Sequence, residues 1–423
     1  MTSPRISLWD ATAAEPEPGA GEEGDTMAEV AVVGGGYTGL SLALHGAANG
    51  LDVLVLEAER IGAGGSGRNV GLVNAGIWLP PKETRDALGP SHGERFLRAF
   101  SDAPGVVFDL IERHQIRCEA VRAGNIHAAH AAAGLRDLTA RVAEWQRMGE
   151  PVDLIDAGRT REMTGTGIYV GGLLDHRAGN INPMGYVRGL ARAATAAGAR
   201  LRTGVRVTEI APEGGGWRLA TTRGAVRARR VVLATNAYAD ALWPGLARAF
   251  TVLHFYMLAS EPLGPRGDGV LPGRQGVWDT APIMTTFRRD AEGRLLIGAF
   301  GTILGSADAG ASRRWAARRI AKLYPGLGPV GFETAWHGRI AKTRDHLPRI
   351  AIPAPNLYVP VGYNGRGITT GTIFGRALAQ HFAGEGEAAL PVPVTRLFPD
   401  LGKAIFEPLY QAAFTANQFV RSI

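Results

Sequence analysis

Ala31-Val32-Val33-Gly34-Gly35-Gly36-Tyr37-Thr38-Gly39, with Val53-Leu54-Val55-Leu56-Glu57 about twenty residues further on, sets the fold of this chain. The first apolar run has the length of a buried strand and ends in glycines. Leu40, Ala43, Leu44 and Ala47 then recur at helical spacing, and Gly50 suits the end of that helix. A second apolar run closes on an acidic residue. Strand, turn, helix and strand in this order form a βαβ unit. In such a unit Gly34 makes the tight turn, Gly36 lets the backbone approach phosphates, and Gly39 lets the helix pack close to the sheet. Glu57 stands where a carboxylate accepts hydrogen bonds from ribose hydroxyls, with Tyr37, Thr38 and Ala58 beside these positions. A glycine-rich turn beside a surface glutamate would need all of these features to coincide by chance, in a chain with 58 glycines. The unit binds a dinucleotide, and by itself does not choose between NAD and FAD.

Two further ordered blocks follow. After Asn182-Pro183, a helix through Val187, Leu190, Ala191 and Ala194 closes at Gly198. Alternation at Leu201, Val205, Val207 and Ile210, turns at Gly214-Gly215-Gly216 and Arg223-Gly224, and Val231-Val232-Leu233 then predict a β-meander running into a buried strand. The third block couples Leu357-Tyr358-Val359 to a glycine-rich loop and a helix carrying Ile373, Phe374, Ala377 and Leu378. The expected organisation is an N-terminal arm over residues 1–28 and a cofactor domain over 29–80, 150–245 and 335–390. A substrate domain over 81–149 and 246–334, and a C-terminal tail over 391–423, complete it.

At 423 residues, 45% hydrophobic and 20% charged, the chain has the size and composition of a globular enzyme of more than one core. Its net charge of +7 comes from scattered arginines, with lysine only at Lys82, Lys322, Lys342 and Lys403. The basic cluster at Arg227-Arg230 has no interleaved aromatic and that at Arg313-Arg319 has the single Trp315, too few for a platform that stacks bases, so no nucleic-acid partner is expected. A single cysteine, Cys118, excludes an intramolecular disulfide, a CxxC redox pair and a cysteine-based metal cluster within one chain; no metal is expected. The acidic, proline-containing start is unlike a signal peptide, and no apolar run reaches the roughly 18 residues of a membrane span. A cytoplasmic protein is expected, of undetermined oligomeric state.

Ile61-Gly62-Ala63-Gly64-Gly65-Ser66-Gly67-Arg68-Asn69-Val70-Gly71 follows the acidic strand directly. Here the chain resembles the FAD-dependent amino-acid and amine oxidoreductases, the group of D-amino-acid oxidase, glycine oxidase, sarcosine oxidase and γ-glutamylputrescine oxidase. The resemblance continues at Val231 to Ala237, at Trp336-His337-Gly338-Arg339-Ile340 through Pro348, and at Gly362-Tyr363-Asn364-Gly365-Arg366-Gly367-Ile368. It implies an α/β fold, α+β in the inserted part: a Rossmann-like FAD-binding domain of discontinuous segments with a β-sheet substrate domain. It also implies non-covalent FAD held by the fingerprint residues together with Ser66, Arg68, Asn69, Val207, Ala234, Thr235, Gly362, Asn364, Gly365, Gly367 and Ile368.

The implied chemistry is oxidation of an amine or amino acid: hydride passes to flavin N5, the imine hydrolyses, and O2 or another electron acceptor takes the electrons. Arg339 matches the arginine that holds the substrate carboxylate in glycine oxidase; an ion pair elsewhere would explain it equally well. His337, two residues earlier, and His254 and Tyr256, which alternation sends to one face of the run Val252 to Leu258, are further catalytic candidates, with core packing as the alternative for the latter pair. Gly338, Leu296 and Thr369 stand where sarcosine oxidase has its flavin-linked cysteine and two lysines, so sarcosine is a poor substrate expectation. The SGRN loop and the Gly338-Arg339-Ile340 segment look closer to the γ-glutamylputrescine oxidase branch. Rival readings are a flavin monooxygenase, disfavoured because Gly362-Tyr363-Asn364 replaces a Gly-Asp pair, an NAD-dependent dehydrogenase, and a flavin-binding subunit of an amine dehydrogenase complex.

Overall fold

The computed structural model describes residues 7–239 and 241–420. Among them a nine-stranded sheet is built on Leu357–Val361, Gly224–Leu233, Thr26–Val33, Val53–Glu57 and Arg200–Thr203, parallel and in that spatial order. Val30 to Val33 pair with Val53 to Leu56 on one side and with Arg230 to Leu233 on the other, so the first strand is central and fully buried at its C-terminal end. This is the expected consequence of an uninterrupted apolar run in a parallel sheet. The meander Val207–Glu213, Gly216–Thr221 and Gly224–Leu233 forms as its turn residues predict, with Gly214 and Gly215 at φ +58° and +79°.

Two helices cover one face of this sheet, Tyr37–Ala48 after the fingerprint glycines and Gly367–Gln380 after the last glycine loop. Their crossing is unusually close because Gly371 and Gly375 present no side chain. A Cβ at Gly375 would lie 2.5 Å from the Thr38 carbonyl oxygen, and one at Gly371 would lie 3.0 Å from Tyr37 Cβ. The contact is polar as well as tight: Ser41 Oγ donates to the Thr372 carbonyl at 2.7 Å, and the hydroxyls of Thr38 and Tyr363 are 2.7 Å apart.

The second sheet has eight strands among the described residues, in the order Phe332–Lys342, Thr251–Pro262, Arg294–Phe300, Thr285–Arg289, Gly276–Asp279, Asn125–Ala128, Gly171–Asp175 and Val152–Asp156. This corrects three expected boundaries. Val152–Asp156 and Gly171–Asp175 pair with each other and with Asn125–Ala128, so part of 150–245 belongs to the second sheet. Phe332–Lys342 pairs along its length with Thr251–Pro262, so the second sheet reaches past residue 335. The helices Pro81–Ser101 and Ala103–Arg113 put Phe96, Phe100, Val107 and Phe108 into the core shared with the fingerprint helix, Phe100 meeting Phe374 edge-on at 6.1 Å. Apolar spacing identifies these elements but carries no information about which distant surface they cover.

Both chain ends are parts of the architecture. Residues 1–6 of the arm lie outside the described residues. Leu8–Thr12 is a short helix with Trp9 fully buried, edge-on to Trp336 at 6.0 Å and under the Arg288 guanidinium at 5.2 Å. Glu15 is buried and paired with Arg192 at 3.0 Å. At the other end, Val394–Thr395 joins the cofactor sheet, and helix Lys403–Phe419 packs against the second sheet, Phe414 stacking on Phe300 at 5.1 Å. No helix among the described residues is long and apolar enough to cross a membrane.

The helix crossing gives a test with a decisive sign. Alanine in place of glycine inside a helix ordinarily stabilises by about 1 kcal/mol. Gly375→Ala is expected instead to destabilise by about 1–3 kcal/mol, because its methyl group must push the Thr38 backbone away. Thermal unfolding followed by far-UV circular dichroism should show a lower Tm; a Tm equal to or above that of the parent protein would contradict the packing described.

Candidate functional site

A cavity of about 580 Å³ runs between the two sheets, from Glu57 and Val207 at one end to Trp78, Trp278 and Arg366 at the other. Its first part is the expected dinucleotide cradle. Gly34 turns at φ +109°, where a Cβ would lie 3.0 Å from the Ala234 carbonyl, and a Cβ at Gly39 would lie 2.1 Å from the Gly34 carbonyl. Only glycine allows the helix start to sit this close to the strand end. Gly34, Gly36, Tyr37, Thr38, Glu57, Ala58, Ser66, Arg68, Asn69, Val207, Ala234, Thr235, Asn364, Gly365, Gly367 and Ile368 all line the cavity. Gly39 and Gly362 do not; they are packing and turn positions, Gly362 at φ +81° with Thr343 Cγ2 2.3 Å from where its Cβ would be.

Whether this cavity suits FAD is answered by its donors. The fingerprint helix and the closing helix both begin at the cavity, and neither N-cap residue supplies a side-chain cap, although Ser66 Oγ accepts from the Tyr37 amide at 3.1 Å. Each therefore offers backbone N–H groups and the positive end of a helix dipole, which favour an anionic group. Diphosphate oxygens suit the first. The pyrimidine edge of a flavin, which becomes negative on reduction, suits the second. Glu57 accepts hydrogen bonds from the Gly35 amide at 2.7 Å and the Glu59 amide at 3.0 Å, which fixes the carboxylate against the burial that pushes its pKa up. Its remaining lone pairs can receive ribose hydroxyls.

The SGRN loop between these parts is held from behind. Three successive carbonyls, of Gly67, Arg68 and Asn69, accept hydrogen bonds from Ser7 Oγ at 2.9 Å, Trp336 Nε1 at 2.9 Å and Trp9 Nε1 at 2.8 Å. Asn69 Nδ2 binds the Gly65 and Ser66 carbonyls at 3.0 and 2.9 Å, and Arg68 Nε binds the Ala63 carbonyl at 2.7 Å. Arg68 and Asn69 thus shape the wall chiefly by bonding its own backbone. Cys118 is buried outside the cavity lining, and burial drives its thiol far above the usual range.

The expected catalytic residues are redistributed. Arg339 lines the cavity, but its side chain is exposed and its guanidinium lies over the Tyr238 ring at 5.6 Å, beside Gly64 and Gly65. Its neighbour Ile340 is the residue that turns toward Gly365, with Cδ1 3.7 Å from where a Cβ there would stand. His254 and Tyr256 share a face, as alternation requires, but neither lines the cavity; Phe255 between them does. Tyr256 is fully buried against Trp315 of helix Ala311–Leu323, 5.2 Å away, where burial raises its phenol pKa far above normal. The parity was legible and the face was not, because the covering helix lies sixty residues away in sequence. His254 is held by Gln411 Nε2 at 2.8 Å, with its ring 5.7 Å from His337. His337 does line the cavity; burial first, then Arg68 and Arg339, lower its pKa and favour the neutral imidazole.

Three residues that sequence reasoning left out form the far end: Trp78, Trp278 and Arg366. Arg366 is buried, with its guanidinium carbon 5.0 Å from each of the two indole centroids. Trp78 Nε1 donates to the Asn364 carbonyl, and Arg141 donates to the Trp78 carbonyl at 2.6 Å, so one wall of this sandwich is fixed at both ends. Met284, Thr286 and Phe300 complete an apolar chamber around it. The only sequence signal for Arg366 was its place between Gly365 and Gly367.

The chain matches the family described as FAD dependent oxidoreductase over residues 29–381. It is 33% identical over 383 residues to a probable oxidoreductase, OrdL, of Rhizobium meliloti (strain 1021), covering 89% of this chain and 88% of that protein. It is 32% identical over 395 residues to gamma-glutamylputrescine oxidoreductase of Escherichia coli (strain K12), covering 92% and 91%. In structure it is similar to glycine oxidase from Geobacillus kaustophilus, with a TM-score of 0.68 at 24% identity over 84% of this chain and 94% of that one. The helix pair, the glycine cradle and these matches together establish that the chain belongs to the family of FAD-dependent oxidoreductases.

Proposed function

We propose that the chain oxidises a C–N bond of a small amine or amino acid. The observation that carries this reading is the continuity of one cavity from the dinucleotide cradle, past the start of the closing helix, into the aromatic chamber. The names of the relatives, an oxidoreductase of γ-glutamylputrescine and an oxidase of glycine, point to the same class of substrate. FAD, when bound, supplies the acceptor for a hydride at N5; the substrate loses its C–H hydride and an N–H proton to become an imine, which water hydrolyses to a carbonyl compound and an amine, and O2 or another acceptor receives the electrons.

The protein's part is orientation and exclusion of water. Phe255, Phe300 and Met284 present apolar walls that hold the reacting carbon and displace solvent. No carboxylate stands among the described residues of the chamber; Glu57 and Glu59, the acids that line the cavity, stand at its opposite end. No acid among the described residues there pairs with an ammonium ion, which favours the neutral amine that can release a hydride. His337, held neutral, is placed by this reading as the group that can take up the amine proton as a substrate enters.

Two outcomes follow. The lining has no cysteine for a thioether link, and on this reading the flavin is bound non-covalently, so unfolding the purified holoprotein in guanidinium and filtering it should leave all yellow colour in the filtrate; flavin retained with the unfolded chain would contradict this. Anaerobic mixing with a panel of D- and L-amino acids, N-alkyl amino acids and acylated diamines should bleach the flavin absorbance with at least one member. A panel that leaves the oxidised spectrum intact while dithionite bleaches it would remove amine oxidation from consideration.

A further inference from the structure

The chamber contains a cation that forms no ion pair among the described residues. Arg366 is 8% exposed, and its Nε has no hydrogen-bond partner among the described residues. Trp278 Nε1, on the ring that covers one face of the guanidinium, is a second buried donor without a partner. Two orphan donors on adjacent cavity-lining groups are costly in a folded protein and call for a missing acceptor.

The surroundings define that acceptor. Burial pulls the Arg366 guanidinium down to about 9, Arg141 adds repulsion, and Asp175 is the acid that opposes them. Asp175 is already committed to Arg177 at 2.7 Å, and Arg141 spends its donors on the Ile77 and Trp78 carbonyls. A planar guanidinium is the group best matched to a carboxylate through parallel hydrogen bonds. With its guanidinium carbon 5.0 Å from each of two indole centroids, the side chain is held by cation–π contacts before any ligand arrives, so less orientation is lost on binding.

We infer that Arg366, flanked by Trp78 and Trp278, anchors an anionic, carboxylate-bearing end of the substrate, so that the enzyme selects amines carrying a carboxylate over di- and polycationic amines. This rests on the amine-oxidation reading and narrows it. The same buried cation that attracts a carboxylate repels a second ammonium group, and no acid among the described residues of the chamber offsets that repulsion. The anchor comes from the loop before the closing helix, whereas Arg339, on strand Phe332–Lys342, is exposed and has its guanidinium over the Tyr238 ring.

The test uses the FAD-loaded enzyme with butyrate and butylamine as probes of matched size. Butyrate should perturb the flavin absorption band in a saturable way, and butylamine should bind much more weakly. Arg366→Gln should weaken butyrate about 10- to 100-fold, the cost of losing charge-assisted hydrogen bonds, with FAD content unchanged. Arg366→Lys should recover part of that loss, and Trp278→Phe, which keeps the aromatic face and removes the donor, should weaken butyrate without abolishing it. Unchanged butyrate affinity in Arg366→Gln at full FAD occupancy, or butylamine binding as tightly as butyrate, would overturn the assignment. Bleaching of the flavin by polycationic amines, insensitive to Arg366→Gln, would also overturn it while leaving amine oxidation standing; butyrate binding with no amine able to bleach the flavin would do the reverse.

Discussion

The close crossing of the fingerprint helix and the closing helix is the constraint on which the site depends. Gly371 and Gly375 bring the two backbones together, the Ser41 hydroxyl ties the helices through the Thr372 carbonyl, and the Thr38 hydroxyl ties the first to Tyr363 of the loop before the second. Both helices therefore begin at one cavity, with first-turn amides that neither N-cap side chain satisfies, the Tyr37 amide alone being held by Ser66 Oγ among the described residues. Two helix N-termini side by side repel each other electrostatically, an arrangement that becomes favourable when negative charge lies between or in front of them. A dinucleotide carrying a ring that gains negative charge on reduction meets that need at both ends.

Around this pair the remaining elements act as supports. The Gly62 to Asn69 loop takes its shape from its own Arg68 and Asn69 and from donors outside it: Ser7 and Trp9 from the arm and Trp336 from the second sheet. The C-terminal helix backs the chamber by stacking Phe414 on Phe300. Segments far apart in sequence thus meet at a wall a few residues thick, and the site is a property of the whole assembly of both sheets. The buried cation at its end fits the same scheme: Trp78 comes from the segment before the first long helix, Trp278 from the second sheet and Arg366 from the closing loop.

What could be read from the sequence was local. Gly34, Gly39 and Glu57 announce themselves because strand, turn and helix lie within thirty residues and their geometry demands those residue types. Ser66, Asn69, Ala234, Thr235 and Gly367 were found by resemblance, and they line the cavity. What failed depended on distant partners. Tyr256 was left between pocket and core by its alternation, and Trp315 covers it on the core side. Val152–Asp156 and Gly171–Asp175 were given to the wrong sheet because a short strand does not name its neighbour. Arg366 was passed over because one arginine among 46 basic residues looks solvated until two tryptophans, about ninety and three hundred residues away, are seen on either side of it.

The central claim is that the two helix starts serve the two halves of one molecule. Calorimetric titration of flavin-free protein with ADP, riboflavin and FAD tests it directly. If each helix start contributes, FAD should bind at one per chain and far more tightly than either fragment, because the second half binds at high effective concentration once the first is placed. ADP binding as tightly as FAD would show that the closing helix contributes nothing, and would contradict the account.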